Sequence, residues 1–276
     1  MKIISVISTV KNGEKYLMEM IDSIKNQSIS FWELIVVDDG SEDNSLNILL
    51  DASNKDKRIK VIKTSGVGRG PALNMAIKEA KGNYIANIDV DDPSHPQRLE
   101  IQRSFLESNP ELDCLFTNSL FVDGNEPIEW SFYNIDDILN SQAQIVTIDT
   151  LYRLNPLNHS SFFVKKSDLN RLGNYNQNRK SLLDYSLWFN FLENGYKIAV
   201  LPYNLASKRI HQEQSFESKN RLRYLNDTRK LRLDHINKVQ GLSKYKYTFI
   251  ANFMFLYGLF PQYIRRALKK QLGNKE

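Results

Sequence analysis

The chain has 276 residues, 41% hydrophobic and 25% charged, with a single cysteine and a net charge of +5. That composition excludes a disordered or fibrous chain, the lone Cys114 excludes an internal disulfide, and the length suits one large domain or one domain with an appendage. The charge is unevenly held: residues 217–276 carry 14 Lys and Arg against 4 Asp and Glu, and residues 1–216 carry 23 against 28, so an acidic body that attracts no nucleic acid carries a basic tail suited to a polyanion.

Residues 3–8 read as a strand. Only seven residues precede the polar Ser8 and Thr9, which favours a first strand over a signal peptide. Residues 14–25 place Tyr16, Leu17, Met20, Ile21 and Ile24 at helical spacing. Residues 33–37 form a second apolar strand that runs into Asp38-Asp39-Gly40-Ser41. A short helix follows over 44–52, with Asp43 as its expected N-cap. Residues 59–62 read as a strand, 72–80 as a helix, and 84–88 as a strand that runs into Asp89-Val90-Asp91-Asp92. Gly82 stops the helix before it. A helix over 97–107 and a strand over 114–122 complete a βαβα alternation. Cys114, in an apolar run, is expected in the core. This pattern predicts a doubly wound, mostly parallel sheet covered by helices.

The alternation weakens after about Gly124. Residues 145–151 and 160–164 read as short strands, 182–193 as a helix ended by Gly195, and 196–201 as a strand. A polar loop then runs through Arg209, His211, Gln212 and Gln214. From 217 onward helical periodicity carries Lys and Arg around it. Residues 248–260 are almost wholly apolar and aromatic but shorter than the about 20 residues a membrane span needs. Pro261, Arg265-Arg266 and Lys269-Lys270 follow. The expected organisation is a domain over 1–216, with a ligand-binding half (1–123) and a second half (124–216), and a helical extension over 217–276.

In a parallel sheet, ligands bind beyond the carboxyl ends of the strands. Two acidic clusters at that edge are costly unless a cation, a proton or hydrogen-bond donors compensate them. A divalent metal carrying a phosphorylated ligand is the economical explanation. Asp38-Asp39-Gly40-Ser41 also reads as a strand-to-helix turn with Asp and Ser as caps, and Asp92 ahead of Pro93 and Pro96 as a helix cap. Gly66-Val67-Gly68-Arg69-Gly70 departs from the dinucleotide fingerprint, because Pro71 stands where the third glycine should be.

The ordered set of Ile4 to Thr9, Asp38-Asp39-Gly40-Ser41, the glycine turn into Ala72-Leu73-Asn74, and Asp89-Val90-Asp91-Asp92 resembles the inverting glycosyltransferases of the GT-A fold, in particular the large bacterial family two. The resemblance covers about residues 1–215. It implies a GT-A fold, with a Rossmann-like, mostly parallel sheet flanked by helices, here with a helical C-terminal extension. It implies that Asp39 accepts the imide N–H of uracil, with Asp38 beside it, and that Thr9 also touches the base. It implies an Asp-x-Asp metal motif for Mn²⁺ or Mg²⁺, with Asp91 the leading ligand, Asp92 a second and Asp89 toward the ribose. It implies a general base at Asp184, in Leu182-Leu183-Asp184-Tyr185-Ser186-Leu187-Trp188. Leu183 replaces the family's usual Glu there, and Asp184 also reads as a helix cap. Arg69 reads as a phosphate contact or a surface residue. His159, Arg209 and His211 match a diphosphate or acceptor loop more weakly, and a loop histidine also reads as simply solvated.

The function so implied is metal-dependent, inverting transfer from a nucleotide sugar, a UDP-sugar, to a saccharide or lipid-linked acceptor in capsule, lipopolysaccharide or exopolysaccharide assembly. The implied location is cytoplasmic, peripheral on the inner face of the plasma membrane. The basic, aromatic tail reads as facing an anionic membrane surface or as a helical pair packing on the domain. A nucleotidyltransferase and a non-catalytic sugar-nucleotide or membrane-binding protein are the alternatives.

Overall fold

In the computed structural model, residues 2–124, 126–210 and 220–260 are described. The chain divides into two compact units, 1–147 with 157–211, and 148–156 with 212–276.

The first unit is built on one eight-stranded sheet. Strands β1 (Ile4–Val10), β2 (Trp32–Asp38), β3 (Ile59–Lys63) and β4 (Tyr84–Asn87) lie side by side in the order β3-β2-β1-β4, all parallel. Ile4, Val6, Ile7, Leu34, Ile35, Val36 and Val37 are fully buried, as expected of strands covered on both faces. Helices α1 (Glu14–Lys25), α2 (Ser45–Lys55) and α3 (Arg69–Glu79) connect them, and α4 (Arg98–Ser108) follows β4. Helix α1 buries the five residues that its periodicity picks out. Asp43 serves two helices: one carboxylate oxygen accepts from Ser45 N–H (3.0 Å) and the other from Glu14 N–H (3.0 Å). Helix α3 starts at Arg69, three residues before the periodicity suggested, so Arg69 sits on its first turn.

The rest of the sheet is mixed. Strand β5 (Cys114–Asp123) leads to α5 (Ile135–Leu139) and the edge strand β6 (Gln144–Val146). Helix α6 (Ile148–Arg153) follows, so the strand expected over 145–151 stops at Val146 and a helix takes its second half. The strand expected over 160–164 is a 3₁₀ turn, His159–Ser161, followed by β7 (Phe163–Lys165). After α7 (Lys166–Arg171) and α8 (Leu183–Glu193), strand β8 runs from Ile198 to Ile210. Its second half is the polar stretch expected as loop. Ser207 and Arg209 are buried there because neighbouring carbonyls and carboxylates satisfy them. Strand β7 is antiparallel to both β4 and β5, and β5 is parallel to β8. The carboxyl ends of β1, β2, β4, β5 and β8 therefore share one edge.

In the second unit, α6 joins α9 (Arg221–Ile236) and α10 (Leu242–Leu259); residues 148–156 thus belong with the tail. The Arg221 guanidinium donates to Gly258 O, and Arg229 Nε donates to Asn252 Oδ1 at 2.7 Å. The Tyr247 hydroxyl donates to the Asp149 carboxylate. Among the described residues, no helix is long and apolar enough to cross a membrane.

Candidate active site at the carboxyl edge of the sheet

Strands β1 and β2 end together, Val10 opposite Asp38. Asp39 N–H donates to Val10 O at 2.8 Å, which turns the chain across the strand end. Asp38 is fully buried. Its Oδ1 accepts from Ser41 N–H (3.1 Å), and its Oδ2 has no hydrogen-bond partner among the described residues. The Asp39 carboxylate gathers the glycine-rich loop: Oδ1 accepts from the Thr64 hydroxyl (2.6 Å) and Val67 N–H (2.7 Å), and Oδ2 from Gly68 N–H (2.8 Å). Burial works to raise the Asp39 carboxyl, but these donors and Lys11 outweigh it and hold it below the usual range. Gly40 has φ +78°, and a Cβ there would come 3.1 Å from Gly66 N, so the approach of the two loops requires glycine. Thr9 lies beside this turn, half-buried, paired with Val37.

Beyond β4, Arg69 and Asp89 form an ion pair at 2.7 Å. Arg69 Nη2 also donates to His159 Nδ1 at 2.9 Å, and Asn87 Nδ2 donates to the same nitrogen at 3.0 Å. Two donors make Nδ1 an acceptor, which leaves the Nε2 hydrogen for the Tyr175 hydroxyl, 2.7 Å away. His159 is only 6% exposed and lies in an aromatic nest of Phe162, Tyr175 and Trp188. It is buried and packed, not a solvated loop residue. Burial works to raise the Asp89 carboxyl, but the adjacent Arg69 guanidinium outweighs it and holds it well below the usual carboxylate range.

Asp92 is buried behind this pair. Its carboxylate accepts from the Ser160 hydroxyl (2.6 Å) and from Arg209 N–H (2.8 Å). Burial, with Asp91 and Asp89 close by, pushes it up. Asp91 is half-buried. Among the described residues, no three His, Cys, Asp or Glu side chains are grouped to hold a metal by themselves. The donor set still fits a hard cation that takes its remaining ligands from phosphate and water, because carboxylate oxygens crowd one strand end. The Arg209 guanidinium meets the acidic run through that run's backbone, with Nε donating to Asp91 O at 3.2 Å. It grips the Glu19 carboxylate through two bonds (2.7 and 2.8 Å) and donates to Gly124 O at 2.7 Å. Arg209 thus straps β8 to α1. His211 lies outside the described residues.

Asp184 is the second residue of α8, and Leu182 before the helix takes φ +54°, a strained value for leucine. The charge of Asp184 acts on both Arg69 and Tyr175. The close approach of α3 explains the arrangement. A Cβ on Gly70 would stand 3.2 Å from Leu183 Cδ2 and 3.4 Å from Asn176 O. Three supporting residues escape sequence reading. Arg98 is fully buried and donates to Ser94 Oγ, Gln102 Oε1 and Asn87 O; burial pushes its guanidinium down to about 9. Asn74 and Tyr175 are the others. Only Asn74 carried a signal, as the last residue of Ala-Leu-Asn.

The family model described as "Glycosyl transferase family 2" matches residues 5–171. The chain is 32% identical over 223 residues to an uncharacterized glycosyltransferase of Methanocaldococcus jannaschii, covering 78% of this chain and 72% of that protein. It is 34% identical over 206 residues to the putative glycosyltransferase EpsE of Bacillus subtilis, covering 73% and 69%. Among solved structures, S. aureus TarS 1-349 in complex with UDP-GlcNAc superposes with a TM-score of 0.68 at 22% identity, covering 89% of this chain and 70% of that one. The mannosyltransferase PcManGT from Pyrobaculum calidifontis, in complex with GDP-Man and Mn²⁺, superposes with a TM-score of 0.62 at 15% identity, covering 92% and 70%. At these identities the two structures establish a shared fold.

Proposed function

The chain belongs to glycosyl transferase family 2, and we propose that this glycosyltransferase moves a sugar from a UDP-sugar to a saccharide or lipid-linked acceptor, with inversion, in cell-surface polysaccharide assembly. The observation that carries the reading is the Arg69–Asp89 ion pair at the strand edge, with Asp184 near enough for its charge to act on Arg69. A cation paired with one carboxylate, and a second carboxylate acting on it, suit a reaction that releases an anion and takes up a proton.

Asp39, held ionised by its loop, accepts the imide N–H of the base, and Thr9 and the buried Asp38 flank it. Asp91 would hold the metal, with Asp92 behind it as a second acidic group. A bound Mn²⁺ or Mg²⁺ would supply positive charge against that building on the departing diphosphate. Arg69 adds positive charge at the same place, and Asp89 and His159 orient it. Asp184 takes the proton of the acceptor hydroxyl. The oxygen attacks the anomeric carbon from the face opposite the diphosphate, the C1–O bond to phosphate breaks, and UDP leaves. One displacement inverts that carbon. TarS in complex with UDP-GlcNAc supports a uridine donor, and the Mn²⁺ in PcManGT supports the metal. Peripheral attachment of the tail to an anionic membrane surface, on the cytoplasmic side, belongs to the same reading.

A panel of nucleotide sugars, each incubated with the enzyme with and without Mn²⁺, tests it through release of nucleoside diphosphate. The expected result is Mn²⁺-dependent UDP release from one UDP-sugar. Release without metal, or from no uridine donor, contradicts the reading.

A further inference from the structure

Helix α10 is apolar on two opposite faces. One face, with Ala251 and Gly258 buried, packs within the second unit. The other carries Leu242, Tyr245, Phe249, Phe253 and Leu256, spaced by three or four residues, so they form one stripe. These side chains are 87, 75, 70, 53 and 57% exposed. The Phe249 and Phe253 rings lie in line, 6.3 Å apart and nearly parallel. A helix with an apolar face left open along its length, about 27 Å for 18 residues, requires a second surface.

We propose that this stripe lies flat in the interfacial zone of an anionic lipid bilayer, with the helix parallel to the membrane plane. The proposal rests on the membrane attachment within the proposed function, and it names the surface that makes it. Three observations select lipid over other occupants. The stripe is built of Phe, Leu and Tyr, side chains that settle at the boundary between headgroups and acyl chains. The helix is not long and apolar enough to cross. The surrounding sequence is strongly basic. Residues 220–260 carry eight Lys and Arg against two Asp, and residues 261–276 add five against one Glu. Each such residue near an anionic surface adds about 1 kcal/mol of attraction, screened by salt. A second copy docked on the same stripe would instead set two basic tails against each other.

Flotation of the full chain with vesicles tests the proposal, using phosphatidylcholine alone or mixed with phosphatidylglycerol, at low and high salt. The variant pairs Phe249→Glu with Phe253→Glu, both exposed positions. Thermal melting and UDP calorimetry on the variant confirm that the fold and the nucleotide site are unchanged, which separates this proposal from the catalytic one. The expected result is binding to the anionic vesicles, weakened by salt, and reduced at least ~10-fold in the variant. Three results would overturn it. The full chain ignores anionic vesicles, the variant binds as well as the parent, or sedimentation shows a dimer that the two substitutions dissolve while vesicles bind neither protein.

Discussion

Asn74 and Tyr175, 101 residues apart, hold each other in a two-way clamp: Asn74 Nδ2 donates to Tyr175 O at 2.8 Å, and Asn74 Oδ1 accepts Tyr175 N–H at 3.0 Å. The clamp fixes the loop whose hydroxyl meets His159, and His159 in turn meets Arg69. A side chain in the middle of α3 is therefore linked through this clamp to a cation at the strand edge.

Asn74→Ala leaves both backbone groups of Tyr175 without these partners, which costs about 1–3 kcal/mol of stability. Turnover should fall further than the melting temperature alone accounts for, because Arg69 loses its aligned neighbour. Denaturant unfolding together with steady-state rates on the same variant checks this. Loss of stability with unchanged kcat would reduce the clamp to a packing element.

Arg69→Met removes the charge that holds the Asp89 carboxyl down. Calorimetry should show UDP affinity reduced by ~10-fold or more, since one charge-assisted contact is worth about 1.5–3 kcal/mol. Unchanged affinity would place the diphosphate away from Arg69.

His95 gives a pH signature outside the site. It is buried among Trp130, Phe132 and Tyr133, where Nδ1 accepts Gln97 N–H (3.0 Å) and Nε2–H donates to Ser131 O (3.2 Å). Burial pushes its pKa below the ordinary 6.5. The folded state therefore binds fewer protons than the unfolded state once the pH falls under 6.5. The stability His95 contributes is complete above that value and is lost progressively below it. His95→Phe should flatten this part of the stability–pH curve, read by thermal melts from pH 5 to 8. An unaltered slope would assign it to other groups.

Asp91→Asn tests the metal. The residue is half-buried and near the edge, so the fold should persist. Mn²⁺-dependent UDP binding should disappear from the calorimetric titration. Full Mn²⁺ dependence in this variant would move the metal to another ligand.

The first four strands were legible because each is an apolar run buried on both faces, and α1 because its buried side chains recur at helical spacing. The carboxyl half of β8 was not, since Ser207 and Arg209 are polar side chains buried against partners 85 to 190 residues away. Ile145-Val146-Thr147-Ile148 is β-branched throughout and suggested one strand, yet the chain turns into α6 at Ile148. The acidic clusters stood out as strand-end motifs. Their regulation by neighbours did not: no local pattern links Asp39 to Thr64, His159 to Tyr175, or Asp92 to the backbone of Arg209. The family membership also displaces the alternative of a non-catalytic binding protein.

The central claim is that Asp184 takes the acceptor proton at a site whose donor is held by other residues. Asp184→Asn keeps the shape and removes the base. Single-turnover transfer, measured beside UDP-sugar affinity on the same preparation, is the direct test. The account predicts unchanged donor affinity and transfer slower by at least ~10²-fold, the scale of a lost general base. Transfer close to the parent rate would contradict it and pass the proton to another group, with His159 the next to examine.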